Sequence, residues 1–458
     1  MMDLKNKRAL VVGLGKSGIA AARFLSAHGV RVTVSDAKAD AGANDIPALL
    51  DLGIIVETGT HGERTFLDQD LIVVSPGVPL EMPQLALARK KGLPVLGELE
   101  LAYRFLKGKI IAITGSNGKT TTTTLVGDIM KHADFHVLVG GNIGTPVIDL
   151  VSNSCADGWT VLEVSSFQLE TIADFKPNIA TILNITPDHL DRHGSMESYI
   201  AAKARIFENQ KSGDSLVLNA DDIQCRKLIE KQTREGGAIV IFSMQDQKRI
   251  GAYVSGDKII WHDGKTTEIM RVDEIPLKGR HNVQNILAAV ACTFRAGCPP
   301  QKIREAVMAF KAVDHRLQHI ATINGVEYYN DSKATNVDAA IKALESFEGG
   351  IHLILGGKDK GSDYTILLPL LHERAKHVYT IGAAAEKIET HLGNALPITH
   401  AETLENAVKI AAKNAVAGDV VLLAPACASF DQFQSYEHRG KVFHELVKQL
   451  QPATKEAS

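Results

Sequence analysis

Cysteine, tryptophan and any surplus of charge are scarce in this sequence, and each scarcity excludes something. Its 458 residues include five cysteines and two tryptophans, and aromatic residues make up 5%. Cys155, Cys225, Cys292, Cys298 and Cys427 are scattered, form no C-x-x-C pair and cannot all pair with one another. That argues against a disulfide framework and fits a reducing compartment. A formal net charge of −3 gives no electrostatic reason to expect nucleic acid or an anionic membrane as partner. No uninterrupted apolar run approaches the roughly 18 residues of a spanning helix, and the N-terminus runs from a charged segment into a strand pattern instead of a signal-peptide core. The expectation is a cytoplasmic protein that engages neither nucleic acid nor membrane.

What is present is ordinary globular material: 45% apolar and 22% charged residues. The length suggests about three domains, each able to bury a core. Strand patterns at 8–12, 31–35 and 71–74 alternate with helical ones at 17–28 and 82–91, which predicts a parallel sheet with right-handed crossovers. A second unit carries strands at 109–113, 160–164, 179–183, 215–219 and 238–242, and Pro299-Pro300 separates two helices near its end. The third opens with Asn324-Gly325 between two extended runs, a hairpin signal. Alternation then resumes up to a final helix predicted from Gly440, and the tail after Pro452 reads as low in structure.

The most informative stretch is Thr114-Gly115-Ser116-Asn117-Gly118-Lys119-Thr120-Thr121, lying between an apolar strand and a helical run over 120–130. Where the glycines stop, backbone N–H groups have no intrahelical partners, so with the helix dipole they form a hole for phosphate. Lys119 adds a point charge for the β- and γ-phosphates, and the Thr120 hydroxyl is placed to ligate Mg²⁺. The spacing is G-x-x-G-K-T, shorter than the usual loop, because position 113 is Ile. A plain glycine turn before a capped helix is the competing reading. Near the N-terminus, Gly13-Leu14-Gly15-Lys16-Ser17-Gly18, with Asp36 closing the next strand, is a dinucleotide fingerprint that fits a nucleotide diphosphate without saying which.

Other polar groups gather at predicted strand ends. Glu163 stands where a metal ligand belongs, although spacing alone suits a solvated strand-end acid equally well. The segment 184–193 is rich in polar groups, and Lys203 on its amphipathic helix reads from pattern alone as a solvated lysine. In the third unit, the segments 330–336, 356–361 and 425–433 each follow a strand, so they converge on one sheet edge with lysines suited to an acidic substrate.

In order, G-L-G-K-S-G, Ser75-Pro76-Gly77, T-G-S-N-G-K-T-T, G-G-N-I-G (140–144), S-S-F-Q-L-E (165–170), D-H-L-D-R-H (188–193), Y-N-D-S-K-A-T-N (329–336) and A-C-A-S-F-D-Q-F (426–433) resemble the Mur ligases over nearly the whole chain. The shortened loop is shared across that superfamily, whereas the 165–170 and 330–336 segments point to its D-glutamate-adding branch. The resemblance implies an α/β fold of three domains. These are a Rossmann-like UDP-binding domain at 1–97, a central P-loop-type ATP-binding domain with a mainly parallel sheet at 98–312, and a Rossmann-like amino-acid-binding domain at 313–458. It also implies an ATP-dependent ligase, acting as a monomer on the small molecules UDP-N-acetylmuramoyl-L-alanine and D-glutamate, with two Mg²⁺ sites.

Carried onto this chain, the resemblance gives the sugar nucleotide to Lys16, Ser17, Asp36, Ser75, Gly77, Asn142 and Gln168. ATP falls to Gly115, Ser116, Asn117, Gly118, Lys119, Thr120, Thr121, Asn282, Asn285, Arg316 and Asp331. His315, Lys333, Thr335, Lys360, Ser429 and Tyr436 would form the D-glutamate pocket. Lys119, Glu163, His189 and Lys203 carry catalysis in this scheme, with Thr120, Glu163, His189 and a carbamylated Lys203 as metal ligands. A dehydrogenase built on the first fingerprint leaves the second loop without a task. A nucleotide-sensing regulator would bind without releasing phosphate. Family members that take diaminopimelate carry Asp-Asn-Pro-Arg, which does not occur here.

Overall fold

Short runs of branched apolar residues become the strands of three sheets in the computed structural model, which describes residues 2–231, 237–311, 314–394 and 396–450. The expected junction at 312/313 and the tail after Pro452 lie outside the described residues. The first sheet holds β1 (Arg8–Val12), β2 (Arg31–Asp36), β3 (Ile55–Thr58), β4 (Leu71–Val74) and β5 (Val95–Gly97) in the order β3-β2-β1-β4-β5. All its pairings are parallel. Leu10, Val12, Ile72 and Val74 pack with Phe66, Leu85 and Ala88 into a core cluster. Successive strands add to one side of β1 and then, from β4, to the other, so the order reverses between β1 and β4 and leaves a crevice at their carboxyl ends.

The second sheet comprises β6 (Lys109–Thr114), β7 (Val137–Gly141), β8 (Trp159–Glu163), β9 (Ile179–Ile182), β10 (Ser215–Asn219), β11 (Ala238–Ser243), β12 (Gly251–Ser255), β13 (Lys258–His262) and β14 (Thr266–Arg271). Their order is β14-β13-β12-β11-β10-β9-β6-β8-β7. Pairing is parallel except for the terminal meander β12-β13-β14, which sequence reasoning did not anticipate. Buried on both faces, β6 reads as a continuous apolar run.

The third sheet contains β15 (Gln318–Ile323), β16 (Val326–Asn330), β17 (Ile351–Gly356), β18 (Ala375–Ile381), β19 (Ile398–Glu402) and β20 (Val420–Leu423), ordered β15-β16-β20-β17-β18-β19. Asn324 and Gly325 have positive φ, as the two-residue turn of the β15-β16 hairpin requires. Two core clusters belong to this sheet, one containing Leu353, Leu355 and Leu422, the other Ile354, Val421 and Leu423. The last helix starts at Tyr436, not Gly440, because the Ser435 side chain accepts from the His438 N–H and caps it earlier.

Contacts divide the chain into two compact units. One comprises Met1–Ile185, Glu197–Arg271 and Ile286–Val307; the other comprises Thr186–Met196, Val272–Asn285 and Met308–Ser458. The first two sheets belong to the former and the third sheet to the latter.

Candidate functional site

The glycine-rich loop follows β6 and ends at Gly118, which caps the helix Lys119–His132 in the left-handed conformation, at φ 84°. Lys119 closes over the loop, its Nζ donating to the carbonyls of Gly115 at 2.8 Å and Ser116 at 2.9 Å. Backbone Asn117 N–H donates to Asn184 Oδ1 at 2.8 Å, tying the loop to the end of the neighbouring strand β9. Thr120 Oγ1 donates to Glu163 Oε2 at 2.8 Å, while Asn142 Nδ2 donates to Glu163 Oε1 at 2.8 Å. Glu163 is 1% exposed, which removes the solvated reading left open by its spacing. Among the described residues no three of His, Cys, Asp and Glu are grouped to hold a metal. A buried hydroxyl and carboxylate oxygen side by side nevertheless suit Mg²⁺, which completes its shell with phosphate and water oxygens.

Lys203 is buried at 2% exposed, so the surface reading from its helical pattern is corrected. Its Nζ donates to Gly115 O at 2.9 Å and lies 4.5 Å from the Tyr199 ring centre. Tyr199 OH is 3.1 Å from Ser116 Oγ. Helical lysines are buried only when something compensates the charge, and here the loop carbonyl and the ring do so. Thr121 is buried on the same helix as Lys119.

In the first sheet, a cavity of about 610 Å³ is lined by Gly13 to Ser17, Asp36, His61 and Ser75 to Gly77, the residues of the crevice between β1 and β4. Gly18 sits against the loop: a Cβ there would lie 1.9 Å from Gly13 O and 2.7 Å from Ser75 Oγ, so helix and strand meet as the fingerprint demands. Asp36 accepts from Leu14 N at 2.8 Å and Lys38 N at 2.9 Å, and Ser75 Oγ donates to Gly13 O at 3.1 Å. Lys16 is exposed at the start of its helix, followed by Ser17. Asn142 is also exposed, whereas Gln168 is buried in a capping box with Ser165, a local structural task signalled by the S-x-x-Q spacing and absent from the roles expected for it.

Within the compact unit built on the third sheet, the three polar segments do meet at one edge of that sheet. Gly356 N–H donates to Pro425 O and Lys358 N–H to Ala428 O, while Asp331 N–H donates to Leu423 O. Arg439, which sequence reasoning missed, is fully buried: it donates to Ser332 Oγ at 2.9 Å, Ser332 O at 2.8 Å and Cys427 O at 3.2 Å. Nothing in a helical arginine's pattern signals such burial. Lys360 Nζ is 3.3 Å from Asp188 Oδ1, and Asn336 Nδ2 donates to Asp188 Oδ2 at 3.0 Å. His189, next in sequence, caps a one-turn helix in the left-handed region and has Nε2 3.7 Å from the same carboxylate.

His315 is buried at positive φ, with Nδ1 3.1 Å from Asn330 Nδ2, and burial holds its imidazole pKa below the ordinary value. Lys333 lies 5.1 Å from the Tyr436 ring centre, and Thr335 N–H donates to Lys333 O. Ser429 is buried, its carbonyl accepting from Phe433 N–H at 2.8 Å. Asn282 Nδ2 donates to Lys278 O at 2.7 Å and Asn285 Nδ2 to Asn282 Oδ1 at 3.2 Å, in the first turns of the helix Arg280–Ala296. Burial pushes the Asp331 carboxyl up to about 6, against the opposing charges of Arg316 and Lys333. Asp331 Oδ1 and Arg316 Nε are buried without a hydrogen-bond partner among the described residues, an arrangement that favours a polar ligand.

A phosphate-binding loop with an oxygen pair for a cation, on an α/β framework with two further polar sheet edges, defines a nucleotide-using multidomain protein. Three family descriptions match it: "Mur ligase MurD-like, N-terminal domain" over residues 7–97, "Mur ligase middle domain" over 113–293 and "Mur ligase, glutamate ligase domain" over 315–427. The chain belongs to the Mur ligase family. It is 62% identical to a UDP-N-acetylmuramoylalanine–D-glutamate ligase of Koribacter versatilis, over 98% of this chain and 99% of that one. A protein of the same name from Acidobacterium capsulatum is 60% identical, over 97% of each. Among solved structures, UDP-N-acetylmuramate-alanine ligase MurC from Thermotoga maritima aligns with TM-score 0.61 at 21% identity, covering 97% of this chain and 100% of that one, a likeness of fold.

Proposed function

We propose that this chain is an ATP-dependent, amide-bond-forming ligase that adds D-glutamate to UDP-N-acetylmuramoyl-L-alanine in peptidoglycan precursor synthesis, releasing ADP and phosphate. The observation that carries the reading is the 62% identity over almost the full length of a ligase so named. Chemically, a carboxylate is a poor electrophile until it bears a leaving group. The terminal alanine carboxylate attacks the γ-phosphate to give an acyl phosphate; the D-glutamate amine then attacks that carbonyl and phosphate departs. Catalysis of this kind is mostly positioning and charge neutralisation.

Roles for individual residues belong to the same proposal. Lys16, Ser17 and Asp36 would hold the uridine diphosphate, with Ser75, Gly77, Asn142 and Gln168 along the muramoyl-alanine. The 610 Å³ cavity supports the first group. Gly115 to Thr121 would cradle the ATP phosphates, and Lys119 would exchange its two loop carbonyls for phosphate oxygens. Asn282, Asn285, Arg316 and Asp331 are proposed for the nucleoside. His315, Lys333, Thr335, Lys360, Ser429 and Tyr436 are proposed for D-glutamate. Mg²⁺, when bound, would neutralise phosphate oxygens. Thr120 and Glu163 are its proposed holders, while His189 and a carbamylated Lys203 are each proposed as ligands for a further ion. Carbamylation would turn a buried ammonium into an oxygen donor, the ligand type that Mg²⁺ takes. Domains at 1–97, 98–312 and 313–458, a monomeric state and a cytoplasmic location complete the proposal.

The test is phosphate release from ATP with magnesium, UDP-N-acetylmuramoyl-L-alanine and, in turn, D-glutamate, L-glutamate, L-lysine or diaminopimelate. Release with D-glutamate and not with the others is expected. Release with a different amino acid would move the chain to another branch of the family, and none at all would remove the ligase reading.

A further inference from the structure

Tyr364 opens the short 3₁₀ turn Tyr364–Leu367 and is fully buried. Its hydroxyl donates to Asp359 Oδ1 at 2.8 Å and lies 2.9 Å from Cys427 Sγ. Asp359 sits in the loop after β17, immediately before Lys360; Cys427 sits in the loop after β20, two residues before Ser429. A single phenolic oxygen therefore touches both loops. The Asp359 carboxylate is fastened from its other sides too: Oδ2 accepts from Lys387 Nζ at 2.7 Å, and Oδ1 also accepts from Ser362 N–H at 3.1 Å. Although burial pushes the Asp359 carboxyl up, Lys387, Tyr364 and backbone N–H groups outweigh it and hold the group down at about 2, so it stays ionised. Lys387 in turn lies 5.6 Å from the Tyr364 ring centre. The backbones of the two loops are cross-bonded only one residue away, Lys358 N to Ala428 O at 2.8 Å and Ala428 N to Lys358 O at 3.1 Å.

We propose that Tyr364 is a positioning residue, whose hydroxyl, acting through Asp359 and Cys427, fixes the spacing between the Lys360 ammonium and Ser429. The inference rests on reading these two loops as the D-glutamate pocket. A tyrosine retained only to fill the core would need no hydroxyl there. This one places a polar atom at the joint of two loops, where an unmatched partner is costly. Lys360 and Ser429 have to meet a small dicarboxylic amino acid in fixed geometry, so slack at the joint should weaken that substrate alone.

Steady-state phosphate release by the full chain, varying each substrate in turn, tests it. Tyr364→Phe keeps the ring and should raise the KM for D-glutamate roughly tenfold, about the worth of one buried hydrogen bond. The KM values for ATP and the sugar nucleotide, and kcat at saturating D-glutamate, should stay within about twofold of wild type. Lys387→Met, at a half-exposed position, should shift the same KM in the same direction with a smaller effect. In a Lys360→Ala background, Tyr364→Phe should add little, because its effect is transmitted through Lys360. An unchanged D-glutamate KM in both variants, equal changes in all three KM values, or full additivity with Lys360→Ala would overturn the positioning role while leaving the ligase reading intact. A wild-type chain whose turnover ignores D-glutamate would overturn both.

Discussion

Asp331 shows what a single residue's surroundings can dictate. Its carboxyl rises from 3.8 to about 6 because burial outweighs the attraction of Arg316 and Lys333. The folded chain thus holds that proton more tightly than the unfolded one, so the stabilising contribution is complete below the unfolded value and disappears as pH climbs through about 6. The span corresponds to ~3 kcal/mol. Asp331→Asn, which cannot ionise, should melt several degrees higher than wild type at pH 8 and nearly equal to it at pH 4, by scanning calorimetry. A constant difference at both would mean that ligation or neighbouring charge already neutralises the group. Lys119→Ala should lower phosphate release by more than about a hundredfold, since the γ-phosphate loses its counter-charge; near-wild-type turnover would take Lys119 out of the site. Lys119 and Thr120 were legible in the chain because their loop carries a local signature. Lys203 was reached only through the family resemblance, its own helical pattern reading as solvated, and Arg439 not at all, because burial of a helical cation is decided by distant partners such as Gly115 O and Ser332 O.

At the scale of elements, glycine spacing was the most reliable guide. The loop after β1 folds as the fingerprint requires, and Gly18→Ala would drive a Cβ to 1.9 Å from a backbone oxygen. That variant should raise the KM for the sugar nucleotide at least about tenfold with little change in the KM for D-glutamate; proportional changes in both would indicate general unfolding. Most parallel strands were legible because they are continuous apolar runs buried on both faces, as in β6 and β10. Strands β12 to β14 were not. Their buried runs are short, Gly251 to Tyr253, Ile259 to Trp261 and Ile269 to Met270, each flanked by polar residues such as Lys258, His262 and Glu268, so no long apolar run marks them. The weak edge strands β3 and β19 escaped for a similar reason, each being only partly buried.

For the molecule as a whole, the linear order of domains understates how the chain is used. It passes between the two compact units five times, so the unit built on the third sheet also takes Thr186–Met196 and Val272–Asn285. A piece beginning at residue 314 would lack Asp188, the carboxylate that engages Lys360 and Asn336. Such a fragment should melt at least several degrees below the same unit in the full chain. Equal melting would show that the two borrowed segments contribute nothing to its stability.

Strand β6 lies between β9 and β8, both of which come later in the sequence. As the polypeptide leaves the ribosome, the phosphate loop therefore emerges before either of its flanking supports exists, on a helix whose run of threonines favours helical structure poorly by itself. Nascent chains arrested with Ile179 still inside the exit tunnel should leave that loop open to protease and unable to retain ATP. Those arrested after Asn219 has cleared the tunnel should begin to protect it, so the phosphate loop gains its order during translation well after its own residues have been made.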